Sequence, residues 1–129
     1  MSTEDMVAKA RTWAGYLNQG ETWIPATGVP VKVMDMDQGW RSNAARWLLR
    51  RAGVLEFYCT FAEVQRLTSM TGQAVLGEDE HGNPVLGPPE IIPLSDHVED
   101  ALMREMDQRA DDPQAWLKTT TLYRALVAD

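Results

Sequence analysis

The side chains best suited to chemistry are the arginines and tryptophans between Trp40 and Arg51. Arg46 and Arg50 are four residues apart, as are Trp47 and Arg51, so each pair would lie one turn apart on a helix. Guanidinium groups bind phosphate through two hydrogen bonds and stack on aromatic faces. The pattern predicts a site for a nucleotide or phosphorylated signal, formed by Arg46, Arg50, Arg51, Trp40 and Trp47. The alternative is that the tryptophans fill the core, while the arginines solvate the outer face or pair with acidic residues 78–112.

Negative charge is concentrated in one stretch of the chain. Residues 78–112 carry 2 basic and 11 acidic side chains, a net charge of −9, whereas residues 1–77 carry 8 basic and 7 acidic ones. One interpretation is a solvated loop and helix face. The other is an exposed surface that enters a basic groove on a partner as nucleic acid would, with the carboxylates of Glu99, Asp100, Glu105 and Asp107. Direct nucleic-acid binding is not expected, because it requires a basic face.

The sequence contains no arrangement typical of an enzyme or a metalloprotein. It lacks GxSxG, P-loop and GxGxxG motifs, and its carboxylates are too numerous for one pair to stand out. One cysteine and two histidines are too few for a structural zinc site. Cys59 lies among bulky apolar residues and is predicted to be a buried, inert thiol. We therefore predict a non-enzymatic protein with no catalytic residues, metal or cofactor.

Helical periodicity predicts five helices that would carry these groups. They run over residues 3–18, from Asp35 or Asp37 to about Ala52, from Thr60 to about Met70, from Ser95 to about Ala110, and from Asp112-Pro113 to about Val127. Gly53 is expected to close the second helix, and Thr60-Phe61-Ala62-Glu63 has the pattern of a capping box for the third. The apolar residues expected to face inward in the fourth helix are Val98, Leu102, Met103 and Met106. Those of the last helix are Trp116, Leu117, Tyr123, Leu126 and Val127.

The segments between the helices favour short β-hairpins. Residues 21–34 alternate around Pro25-Ala26-Thr27-Gly28, which predicts an edge hairpin with a positive φ in its turn. Residues 71–94 are less regular. In that segment Val75-Leu76-Gly77 and Val85-Leu86-Gly87 would pair as a small hairpin, or the whole segment would be a mobile loop. Together the elements predict one α+β domain over residues 1–129, mostly helical, with about five helices and one or two short hairpins.

A loose motif runs through the first hairpin and the helix after it, and a second motif ends the chain. The first contains Trp23, Gly28, Val31, Val33, Met36, Asn43 and Leu48, and the second is DPQAWLKTTTLYRAL. These stretches, about a third of the chain, resemble segments of small uncharacterised proteins of actinobacteriophages. Trp40 stands where those proteins often have a histidine, and Thr121 where they often have a proline. The resemblance implies an early, non-virion phage gene product and no established chemistry.

These features together predict a phage accessory protein that binds a host macromolecule, most simply a host protein. The alternative is a small-ligand binder that sequesters a nucleotide signal through the arginine–tryptophan helix. The start MSTEDMVAKA lacks the regions of a secretory signal, and no apolar run reaches the roughly 20 residues that span a bilayer. We therefore expect the host cytoplasm and no membrane. Five tryptophans and seven methionines would also allow an exposed apolar patch and a homodimer.

Overall fold

The computed structural model describes residues 2–128, and helices make up most of them. The α-helices are Thr3–Leu17 (α1), Gln38–Arg50 (α2), Ala52–Thr68 (α3), Asp96–Asp111 (α4), Pro113–Leu117 (α5) and Thr121–Val127 (α6). The strands are Thr22–Trp23 (β1), Val31–Lys32 (β2), Thr71–Gly72 (β3), Val75–Glu78 (β4), Pro84–Leu86 (β5) and Glu90–Ile91 (β6), paired antiparallel as β1–β2, β3–β6 and β4–β5. This is the mostly helical α+β fold predicted, with one more helix and one more strand pair. Within residues 2–128, no helix combines the length and the apolar character needed to cross a bilayer.

The first two helices begin at side-chain caps. The Ser2 hydroxyl accepts a hydrogen bond from the Asp5 N–H at 3.1 Å, and the Asp37 carboxylate accepts one from the Trp40 N–H at 2.7 Å. Each cap satisfies a first-turn donor that has no partner within the helix. Between the two helices, the predicted hairpin forms from β1 and β2, and Gly28 in its turn has a φ of 81°. The positive φ is therefore confirmed.

One apolar core joins the helices. α1 packs along α3, α2 against α6, and α3 against both α4 and α5. Six leucines at the centre are each at most 2% exposed: Leu17, Leu48, Leu55, Leu117, Leu122 and Leu126. Burying a leucine side chain contributes roughly 1.5–3 kcal/mol, so these contacts determine how the helices meet.

The predicted break between the second and third helices is wrong. α3 begins at Ala52, and Arg51 alone separates it from α2, so Gly53 lies inside a helix and closes none. An inward stripe at steps of three and four residues runs through the predicted break: Ala52, Leu55, Cys59 and Ala62. Thr60 does not cap a helix, because its hydroxyl donates to Glu56 Oε1 at 2.6 Å, one turn back. Burial of the continuous stripe outweighs the local capping pattern.

The predicted last helix is in fact two helices. α5 and α6 are separated by residues 118–120. The hydroxyls of Thr119 and Thr120 donate to the main-chain carbonyls of Trp116 and Leu117, each at 2.6 Å. Threonine side chains that bond to nearby carbonyls compete with the regular helical pattern, and here they stabilise the turn that ends α5.

α4 contacts the core through a narrower stripe than predicted. Leu102 and Met106 are half-buried as expected, but Val98 is 47% and Met103 is 56% exposed. Met103 lies about 100° around the helix from Leu102, and Val98 lies in the first turn. α4 therefore leaves two large apolar side chains in solvent. In α6, Val127 lies in the last turn, is 49% exposed and does not face inward as predicted.

Residues 70–92 form an antiparallel ribbon, called the arm here, that lies outside the core. Its strands are β3 to β6, and the Asp79 carboxylate closes its tip by accepting two main-chain hydrogen bonds at 2.9 Å each. Every residue of the arm is exposed except Gly72 and Gly87. Of the two alternatives for residues 71–94, the structure has the hairpin.

Candidate ligand-binding site

A cavity of about 720 Å³, called the tryptophan cavity here, lies between α1, the first hairpin and α2. Its aromatic lining consists of Trp13, Tyr16, Trp23, Trp40 and Trp47, so it contains four of the five tryptophans of the chain. Its polar lining includes Thr12, Asn43 and Arg50. Sites for small ligands have volumes of roughly 300–1,000 Å³ and apolar walls with a few polar groups. The tryptophan cavity has the size and the composition of such a site.

Four of the aromatic rings hold one another in place. Trp13 and Trp47 stack with their centroids 6.2 Å apart, and Trp23 meets Trp47 edge-on at 6.0 Å. Tyr16 packs against Trp13 at 5.6 Å and against Trp23 at 6.1 Å. Each such pair contributes about 0.5–1.5 kcal/mol beyond the burial of its area. These rings therefore form a rigid wall that is in place before a ligand binds.

The polar groups of the cavity are neutral or positive among the described residues. The Tyr16 hydroxyl accepts a hydrogen bond from the Ile24 N–H at 2.8 Å. Burial raises the pKa of Tyr16, an effect that this hydrogen bond partly opposes, so the phenol stays protonated at neutral pH. A phenol that accepts one hydrogen bond can still donate its own proton, and the Asn43 amide offers both a donor and an acceptor. Arg50 adds one positive charge at the exposed edge.

Three of the five predicted ligand-binding residues meet in this cavity. Trp40, Trp47 and Arg50 line it, whereas Arg46 is exposed about 100° around α2 from Trp47. The Arg51 guanidinium lies over the Trp47 ring, with its carbon 4.7 Å from the ring centroid. Such a cation–π contact contributes about 0.5–2 kcal/mol, so Arg51 helps to fix the orientation of the tryptophan.

The arginines of α2 are not paired with the acidic segment. Within residues 2–128 there are two ion pairs, and both involve Arg109, with Glu63 and with Glu105. The side chains of Arg46 and Arg50 are exposed. The alternative in which these arginines form ion pairs with acidic residues 78–112 therefore does not occur in the described part of the chain.

The cavity is completed by Trp13, Tyr16 and Trp23, which the predicted site did not include. The sequence pattern places Trp13 on the inward stripe of α1 and Trp23 in the first hairpin. One local signal could have found them. Trp13 and Tyr16 are three residues apart, so they are neighbours on one helix face. Two large aromatic rings side by side favour an aromatic or apolar partner, and the next tryptophans along the chain are Trp23 and then those of α2.

The four acidic residues predicted as a partner surface lie on α4, and all are exposed. They do not form one face. Glu105 bonds to Arg109, which in turn reaches α3. Glu99, Asp100 and Asp107 lie within about 100° of one another on the other side of the helix. Three of the four are thus available to a partner, and the fourth is held in an ion pair.

Cys59 lines a second cavity, of about 660 Å³, between α1, α3 and the turn from α5 to α6. The thiol is half-buried. Burial raises its pKa to about 11, an effect that Arg109 partly opposes and that Glu56 and Glu63 reinforce. The thiolate is the reactive form of cysteine. Cys59 is therefore a protonated thiol at neutral pH and a poor nucleophile.

We expect Cys59 to react with iodoacetamide at pH 8 roughly 100-fold more slowly in the folded protein than in the urea-unfolded chain. Raising the pKa from 9.0 to about 11 lowers the thiolate fraction at pH 8 by about that factor. A mass-spectrometric time course measures the rate, with Cys59→Ser as the control for alkylation elsewhere. Equal rates in the two states would contradict the burial of this thiol.

The raised pKa of Cys59 also makes the free energy of unfolding depend on pH. The folded state keeps the thiol proton that the unfolded chain loses first, so the contribution of Cys59 is complete below the unfolded pKa of about 9.0 and is lost as the pH rises through about 11. The stability of the wild type relative to Cys59→Ser should therefore fall over this range. A constant difference would contradict the raised pKa.

Comparisons of this chain with family models, curated proteins and solved structures gave no match. The resemblance to actinobacteriophage proteins therefore stays a prediction. Within residues 2–128, no three histidine, cysteine, aspartate or glutamate side chains are grouped so that they could hold a metal ion. The chemistry of the tryptophan cavity is the strongest available guide to a function.

Proposed function

We propose that this protein is a non-catalytic binding protein that holds a nucleotide in the tryptophan cavity. The base stacks on the aromatic wall, and the phosphate lies at Arg50. The observation that carries the proposal is the composition of the cavity, five aromatic rings and a single cation around about 720 Å³. Stacking of a base on an aromatic side chain contributes about 1–3 kcal/mol, and guanidinium groups bind phosphate with charge-assisted hydrogen bonds.

The charges around the cavity favour an anion over a cation. Clusters of aromatic rings also bind quaternary ammonium groups, by the same attraction that holds arginine over tryptophan. Here Arg50 stands at the edge, and the Arg51 guanidinium already covers a face of Trp47. A second cation would be repelled by both. A phosphate is attracted by both, and the lining contains no carboxylate among the described residues.

The titratable groups of the cavity support binding without turnover. General acid–base catalysis uses a side chain that exchanges a proton near neutral pH. In the lining within residues 2–128, the titratable side chains are Tyr16 and Arg50. Burial raises the pKa of Tyr16 further from neutral pH. A protein that binds and does not convert a nucleotide lowers its free concentration. In a phage accessory protein that acts in the host cytoplasm, such binding would sequester a nucleotide signal.

Arg50 and Arg46 offer a matched test, because both are exposed on α2 and only Arg50 lines the cavity. We expect Arg50→Gln to weaken the binding of adenosine 5′-monophosphate about 10- to 100-fold, since a charged hydrogen bond contributes roughly 1.5–3 kcal/mol. Arg46→Gln should change the affinity less than about twofold, because its side chain lies outside the cavity. Isothermal titration calorimetry measures both affinities. Equal losses would place the phosphate on the outer face of α2 and contradict its position at the cavity edge.

A further inference from the structure

All the large apolar side chains of the arm lie in solvent. Their exposed fractions range from 41% at Val85 to 69% at Leu76, and the full set is Met70, Val75, Leu76, Val85, Leu86, Ile91 and Ile92. Nearby in sequence, Val98 and Met103 of α4 are also exposed. A two-stranded ribbon is at best marginally stable in water on its own. Exposed apolar surface on this scale is typical of an interaction site.

The same part of the chain is strongly negative. Residues 70–96 contain no lysine or arginine, and Glu78, Asp79 and Glu80 stand together at the tip of the arm. Over residues 78–112 the net charge is −9, and one of the two arginines there, Arg109, is already held by two glutamates. The exposed apolar side chains of the arm therefore lie in a stretch of chain that contains carboxylates and, over residues 70–96, no lysine or arginine to neutralise them.

We infer that the arm is a docking surface for a basic protein, one whose apolar side chains are surrounded by lysine and arginine. Charge complementarity selects this class of partner, because opposite charges orient and accelerate association while apolar contact supplies affinity. Nucleic acid and anionic membranes are repelled by the same carboxylates. The docking surface is separate from the tryptophan cavity, so its partner is independent of the proposed nucleotide.

A second copy of the chain fits the arm less well than a basic protein does. In a twofold dimer the same surface meets itself, so two arms that each carry four acidic side chains and no lysine or arginine would face each other. Pairing of strands between copies is disfavoured at both edges of the ribbon. β4 has a register shift between Val75 and Gly77, and the other side of the arm contains three prolines within residues 84–89.

The test uses a fluorescent amphipathic peptide of about 18 residues, five helical turns, with leucines on one face and lysines on the other. Its matched control has glutamate in place of every lysine. Fluorescence anisotropy at about 0.15 M salt measures binding to the full chain, under conditions that screen distant charges. We expect the lysine peptide to bind at least tenfold more tightly than the glutamate peptide.

Variants then locate the binding surface. Leu76→Ser should weaken binding of the lysine peptide about tenfold, and Glu78→Lys with Glu80→Lys by a similar factor. The matched control is Met34→Ser, because Met34 is 84% exposed and lies outside the arm. It should change binding less than twofold. Since every substituted side chain is exposed, thermal melting should stay close to that of the wild type, which separates a lost contact from a lost fold.

Three results would overturn the proposal. The first is equal binding of the lysine peptide to wild type and Leu76→Ser, and the second is equal binding of the lysine and glutamate peptides. The third is a dimer in analytical ultracentrifugation that Leu76→Ser converts to a monomer, which would assign the arm to a second copy of this chain.

Discussion

Leu48→Ala is expected to lower the free energy of unfolding by about 2–5 kcal/mol. Leu48 is 0% exposed in the core, and its helix α2 packs against α6. The truncation removes the apolar contacts of three carbon atoms and leaves a cavity that rigid neighbouring helices fill only in part. Urea denaturation followed by circular dichroism measures the change.

Leu76→Ala is the matched control for this prediction. It is the same truncation at a side chain that is 69% exposed, so the free energy of unfolding should change by less than about 0.5 kcal/mol. A small effect at Leu48 would contradict the packing of α2 in the core. A large effect at Leu76 would show that the arm is packed against the body and is not in solvent.

Trp40→Ala is expected to weaken nucleotide binding about 10- to 100-fold in a protein that stays folded. Trp40 lines the tryptophan cavity but is 39% exposed, unlike the packed wall of Trp13, Trp23 and Trp47. Loss of a stacked base costs about 1–3 kcal/mol, which corresponds to that range of affinity. Calorimetric titration with adenosine 5′-monophosphate measures the affinity.

Trp40→Phe is the control, because a phenyl ring keeps a stacking face. It should retain the affinity within about threefold, and circular dichroism should show both variants folded at the temperature of the titration. An affinity of Trp40→Ala equal to that of the wild type would contradict a role for this ring in holding the base.

The starts of four of the six helices could be predicted because their signals are local. Ser2, Asp37, Ser95 and Asp112 each accept a hydrogen bond from the main-chain N–H three residues further along. A cap of this kind depends on a few neighbouring residues. The boundary between α2 and α3 has no such signal. It depends on which side chains the other helices bury, and Gly53 is compatible with a helix interior at a small cost.

The site could be predicted only in part, for the same reason. Trp40, Trp47 and Arg50 share one face of α2, and helical spacing alone brings them together. Trp13 and Tyr16 are about thirty residues earlier, and they reach the cavity only through the packing of α1, which spacing does not encode. Arg46 directly precedes Trp47 and lies about 100° from it around α2, whereas Arg50 lies three residues after Trp47, on the same face.

One titration tests most directly whether the tryptophan cavity holds a nucleotide. Adenosine 5′-monophosphate, adenosine and ribose 5-phosphate are titrated separately into the wild type, and heat and tryptophan fluorescence are recorded. We expect saturable binding at one site with fluorescence quenching, tightest for the nucleotide, weaker for the nucleoside and weakest for the sugar phosphate, because base and phosphate each contribute. No saturable binding of this nucleotide or of cyclic and guanine nucleotides at millimolar concentration would contradict the proposal. Equal affinities for ribose 5-phosphate and the nucleotide would contradict it as well.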